Sequence, residues 1–238
     1  MIISLENSEF LVQKILVVMS YLVSIPILGA FRSWVASRMG DDTGEQLGFS
    51  TLNPVTHISM LWLFMLLIVP GIPFGFGQYI PINPGAISGP WRRLKLLCAY
   101  FSDAFFGVFL SLIVLLSMVV VFGKSPIELF MNFGIFKLAS HYAPIQGVSS
   151  FLIVTGLFLI RFVIFNSMLA AFTMIINFFY MTFLAYFLAK NNFPDYADWI
   201  MLFAPLILLI LFQQIVSTAI INIVLLISTI LSFGLGLI

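Results

Sequence analysis

Charge is what this sequence has least of. Of its 238 residues only 10 are Lys or Arg and 9 are Asp or Glu, so charged side chains make up 8%, against about 25% in a soluble domain. A globule made from this chain could not coat itself for water, and a soluble fold is excluded. The net charge of +1 leaves no basic face for nucleic acid and no acidic sink for cations. A single cysteine, Cys98, excludes an internal disulfide. Histidine is nearly absent too, and His57, His141 and Cys98 offer no pair at metal-ligand spacing. No serine carries the flanking glycines of a nucleophile elbow. Only one aspartate, Asp103, lies in an apolar run, where an aspartyl protease needs two. A P-loop, a dinucleotide fingerprint and a haem-ligand pair are also missing.

What is present is apolar. Hydrophobic residues make up 62% of the chain, and mean hydropathy is +1.16. Runs of about 20 apolar residues recur from end to end, as bilayer crossings require. These runs predict an all-α membrane protein, a single transmembrane domain over 1–238 with about six or seven helices. The first crossing is expected over Leu11–Ala30. It is expected to stay in place, because Glu6 and Glu9 stand where a cleaved signal would be basic. A second is expected over Ile58–Val69 and a third over Leu94–Phe122. The run Phe151–Leu188 is too long for one crossing, with Asn166 or Asn177 as the expected interruption. Trp199–Ile238 is expected to cross twice. Between Pro70 and Pro90 lie five prolines and five glycines, which rule out a regular helix. This stretch is too apolar for a solvated loop and is expected to form a re-entrant or hairpin element. Basic residues do not separate between alternate loops, so orientation stays open.

Polar residues inside apolar runs are functional candidates. Arg32, Asp103 and Arg161 are the charged ones. The bland expectation is that Asp103 and Arg161 pair within the bundle and that Arg32 snorkels to the interface. The functional expectation is an ion path or a docking point for a partner helix. Gln213, Gln214 and Asn222 are amides on the last apolar region, suited to bonding across helices or to a partner interface. His57 is expected to be a loop histidine held by backbone. Trp62, Trp91 and Trp199 stand near the ends of apolar runs, as interfacial aromatics do.

Two stretches carry a family likeness. Gly40-Asp41-Asp42-Thr43, followed by Leu52-Asn53-Pro54-Val55-Thr56-His57-Ile58, is the first. Tyr79-Ile80-Pro81-Ile82-Asn83-Pro84, with Pro90 and Arg92-Arg93, is the second. In order and spacing, over roughly 28–106, they resemble bacterial site-2 protease homologues, which are intramembrane zinc metalloproteases. That family reads GDxT then LNPxxHIDPxG, and later PVPVNP. Its HExxH helix comes just before GDxT. Two histidines four apart share a helix face and can both reach one zinc, while the glutamate activates the bound water. Here that motif falls on Leu28-Gly29-Ala30-Phe31-Arg32. Leu28 has no donor atom, Gly29 has no side chain, and Arg32 is a fixed cation. The family's LDG aspartate falls on Met181, and no Asp or Glu stands between Glu128 and Asp195.

The resemblance therefore implies a scaffold without its metal site and without a cofactor. It implies a proteolytically inactive homologue that serves as a binding or scaffolding subunit. Its partners would be membrane lipids and other transmembrane proteins of a complex, in a bacterial inner membrane. A sharper expectation puts the Arg32 guanidinium in the vacated metal position, supplying the missing positive charge. Two other readings stay open. One is a transporter or channel component using Asp103 and Arg161. The other is a metalloprotease with atypical ligands.

Overall fold

The computed structural model describes residues 2–69, 72–122, 150–190 and 197–235. Among them the regular structure is entirely helical: α1 (Ile2–Met39), α2 (Thr43–Gln46), α3 (Pro54–His57), α4 (Met60–Ile68), α5 (Arg92–Phe122), α6 (Ser150–Lys190) and α7 (Ala197–Gly234). Four stretches are long and apolar enough to cross a bilayer: Phe10–Met39, Arg92–Phe122, Ile153–Met181 and Gln214–Gly234. The chain is an integral membrane protein by this measure. Large apolar side chains such as Phe105, Ile113 and Val120 on α5 point outward; in a bilayer that face meets lipid.

The expected six or seven crossings are not met among the described residues, where four helices qualify. The differences have physical reasons. α4 has 9 residues, about 13 Å of helix, against a hydrocarbon core of about 30 Å. α6 runs unbroken for 41 residues. Asn166 and Asn177 do not interrupt it, because each Nδ2 finds an acceptor without breaking the ladder, although Asn166 Oδ1 is buried without a partner among the described residues. Asn166 Nδ2 donates to the Phe162 carbonyl and to Ser24 Oγ, both at 2.9 Å, and Asn177 Nδ2 donates to the Tyr100 carbonyl. α7 is one helix of 38 residues rather than two crossings.

α5 packs most extensively on α6 and on α1. The main core gathers Tyr21, Ile25 and Leu28 of α1, Leu115 and Met118 of α5, and Ile160, Phe165 and Phe172 of α6. Contacts fix the directions. Tyr100 of α5 meets Asn177 of α6, while Ser111 of α5 meets Val163. These two helices are therefore antiparallel. Ser24 on Asn166 and Ala36 beside Tyr100 set α1 antiparallel to α5.

α1 ends in a Schellman motif. Gly40, at φ +107°, donates to the Ser37 carbonyl, and Asp41 N–H donates to the Ala36 carbonyl, both at 3.0 Å. The left-handed backbone there favours glycine. After α4 the chain from 72 to 91 has no helix or strand, as its prolines require. It lies against α1 instead. Tyr21 Oη donates toward the Ser59 and Phe76 carbonyls and accepts from Ser59 N–H. Gln78 N–H donates to the His57 carbonyl at 2.7 Å. Lys14 Nζ, also from α1, donates to the Leu66 and Val69 carbonyls at the end of α4, where a cation complements the helix dipole.

Candidate functional site

The positions that would carry HExxH lie on the inner face of α1, at the level where the 72–91 segment and α5 converge. Each has been put to structural use. Leu28 is buried in the main core. Gly29 faces the imidazole of His57 so closely that a Cβ there would stand 2.3 Å from Nδ1. His57 is 1% exposed. Its Nε2 donates to the Thr51 carbonyl at 2.7 Å, and its ring edge meets Phe49. Burial lowers its pKa from the usual histidine value, and the Thr51 carbonyl opposes the shift. His57 closes α3 rather than lying in a loop, but it is held by backbone as expected.

Arg32 does not snorkel. Its Nη1 donates to Asp103 Oδ2 at 3.1 Å, with side-chain exposures of 11% and 16%. Asp103 Oδ1 also accepts from the Ala104 N–H. The Arg32 guanidinium carbon lies 5.9 Å from the centre of the Tyr100 ring, and the Tyr180 ring centre lies 5.4 Å from that same phenol ring. Exposed Tyr79 approaches Tyr180 and feels the Arg32 charge. Arg32 Nε and Tyr100 Oη are buried without a partner among the described residues. Such atoms each cost about 1–3 kcal/mol and call for an explanation. Arg32 itself offers donors only. A guanidinium neither takes up a proton nor ligates a cation.

The expected Asp103–Arg161 pair is corrected here: Asp103 takes Arg32. The Tyr100–Asn177 and Ser111–Val163 contacts set Asp103 opposite residues near 173 of α6. Arg161 lies about twelve residues, roughly 18 Å, further along. Arg161 is half-buried and makes no ion pair or hydrogen bond among the described residues. Gln214 and Asn222 are exposed on α7, and neither side chain bonds across helices among the described residues. With exposed Thr218 they form a polar stripe at four-residue spacing. The Gln213 side chain and His141 lie outside the described residues.

Sequence reasoning missed Asp41 as an organiser. Its side chain is fully buried. Oδ1 accepts from Thr43 N–H and from its hydroxyl, and Oδ2 accepts from Asn83 N–H at 2.7 Å. One carboxylate thus joins the Gly40–Thr43 turn to the Tyr79–Pro84 segment. The available signal was an aspartate after a helix-ending glycine, two residues before a threonine, the pattern of an Asx turn. No three His, Cys, Asp or Glu side chains gather at metal-binding distance among the described residues.

Compared with protein-family models, with curated proteins and with solved structures, the chain matches none.

Proposed function

We propose that this chain is a proteolytically inactive, site-2-protease-like scaffold that holds partner helices within a larger assembly, in a bacterial inner membrane. The observation that carries the reading is the fate of the HExxH positions. Leu28 is core, Gly29 makes room for His57, and Arg32 is neutralised by Asp103. A zinc site needs about three protein ligands and an open position; here the space and the charge are already assigned. The two stretches that resemble the family also meet, through Asp41 and Asn83. The backbone near Phe76 and Gly77 reaches Tyr21 and Ile25, partway along a helix that qualifies to cross the membrane. On this reading, 72–91 is a re-entrant element buried against protein, the setting in which irregular backbone is tolerated at depth.

The partner-facing surface is α7. Polar amides directed at lipid are costly unless another helix satisfies them, and Gln214, Thr218 and Asn222 present such a stripe. The test is the mass of the particle extracted in mild detergent, with its components identified. Fixed stoichiometric partners, lost when Gln214 and Asn222 are replaced by Leu, are the expected result. A lone 26.7 kDa chain, or metal-dependent cleavage of a membrane peptide by the pure protein, would overturn the reading.

A further inference from the structure

Beside the Arg32–Asp103 pair, α1 and α5 leave a groove of about 710 Å³ between them. Val35 and Met39 form its α1 wall, and Leu97, Cys98, Phe101 and Phe105 its α5 wall. It extends from residue 94 to residue 109 of α5, about 22 Å at 1.5 Å per residue. Both walls belong to helices that qualify to cross the bilayer, so the groove opens on hydrocarbon.

Its lining is apolar except for Ser102, a surface that suits an alkyl chain, and the charges at its end bear on what that chain carries.

The open end of the groove is basic. Arg38 follows Val35 by three residues, and Arg93 precedes Leu97 by four. Each therefore stands on the groove face of its helix, one turn nearer the end. Both are exposed. Arg38 lies over exposed Trp34, and exposed Trp91 precedes α5. Indoles at this level mark the membrane–water interface. Arg93 makes no hydrogen bond or ion pair among the described residues. Lys95, two residues on, donates to the Ser88 carbonyl, whereas Arg92 is turned into the 72–91 segment, donating to the Ile87 and Pro84 carbonyls. The nearby acids are held elsewhere. Asp42 and Glu45 both accept from Ser37 Oγ, and Ser37, two residues from Val35, faces the far side of α1.

We propose that this groove is a binding site for an anionic phospholipid, with one acyl chain between α1 and α5 and the headgroup phosphate on Arg38 and Arg93. A phosphodiester carries the charge and the acceptor oxygens that guanidinium groups recognise. Each basic side chain at an anionic surface is worth a factor of about five.

Cys98, exposed within the groove and the chain's one cysteine, provides the reporter. The full chain would carry a bimane on Cys98 and be placed in mixed micelles with phosphatidylglycerol or phosphatidylcholine brominated on the same acyl carbons. Quenching by brominated phosphatidylglycerol at roughly 25-fold lower mole fraction, a factor of about five for each of the two arginines, is expected. That preference should vanish in R38Q/R93Q and persist in R38K/R93K. In the unsubstituted chain it should also collapse as salt rises to about 0.5 M, where screening shortens to a few ångströms. Equal quenching by the two lipids would overturn the proposal, as would a preference indifferent to both substitution and salt. Efficient Cys98–Cys98 crosslinking without quenching would also overturn it, placing a second copy in the groove.

Discussion

Arg32 Nη1 meets Asp103 Oδ2 at 3.1 Å, joining α1 to α5 across 71 positions of sequence. A buried pair of this kind matters most when half of it is removed. Arg32→Leu or Asp103→Leu alone leaves an uncompensated charge and should cost about 3 kcal/mol. The double substitution to Leu should recover most of that, since apolar replacement of a whole pair is often neutral. Unfolding in graded denaturing detergent, read as a double-mutant cycle, measures the coupling. Additive losses would mean that the two charges do not act as a pair.

Gly29 and His57 are matched by shape. The imidazole is fixed by Thr51 and Phe49, so it cannot retreat from an added methyl that would stand 2.3 Å from Nδ1. Gly29→Ala should therefore destabilise by about 1–3 kcal/mol, despite alanine's better helix propensity. His57→Ala opens the space, so G29A should be tolerated in that background. Thermal unfolding of the four proteins tests this, and a stabilised G29A would contradict the contact.

The same burial gives an acid limb to stability. His57 has its folded pKa lowered below 6.5, so between those two values the unfolded chain binds more protons than the folded one. Its contribution is complete above about pH 6.5, declines as pH falls below that, and levels off beneath the folded value. Replacing the titrating ring by His57→Gln should flatten the slope of stability against pH in this window. An unchanged slope would assign the acid sensitivity to other groups.

Asp41 should govern the irregular segment. Asp41→Asn puts an amide donor where the carboxylate accepts, facing either Asn83 N–H or the Thr43 donors. The loss should be about 2 kcal/mol locally. It should appear as faster amide exchange over 72–91 with little change in α6. Uniformly faster exchange would show that Asp41 supports the whole bundle instead.

Membrane character was legible from composition alone, and 72–91 was legible as non-helical from its prolines and glycines. Helix count was not. Hydropathy reports that residues 151–188 are apolar, but only the partners of Asn166 and Asn177 decide whether an amide breaks a helix or is absorbed into it. Pairing was not legible either. Asp103 has two arginines to choose from, and the choice depends on the vertical register of α5 against α6, which no local pattern encodes. Gly29 was readable as a missing side chain, but its partner, 28 residues away, was not.

The four-helix arrangement also separates basic residues that seemed scattered along the chain. α5 runs antiparallel to α1 and to α6, and the six-residue connection 191–196 predicts that α7 turns back along α6; Arg38, Arg92, Arg93 and Lys95 therefore share one end with Lys190, which closes α6. The connection from α5 to α6 carries only Lys124 and Lys137. With Lys14 near the start of α1 counted at the second end, five basic residues against three predict the first end on the cytoplasmic side. In a Cys98→Ser background, Gln46→Cys and Leu235→Cys are both at exposed positions, at opposite ends of the bundle. A membrane-impermeant maleimide applied to sealed right-side-out vesicles should label Leu235→Cys and spare Gln46→Cys until the vesicles are opened. The reverse pattern would invert the assignment. Equal labelling of both before opening would mean that α1, α5, α6 and α7 do not alternate across the bilayer.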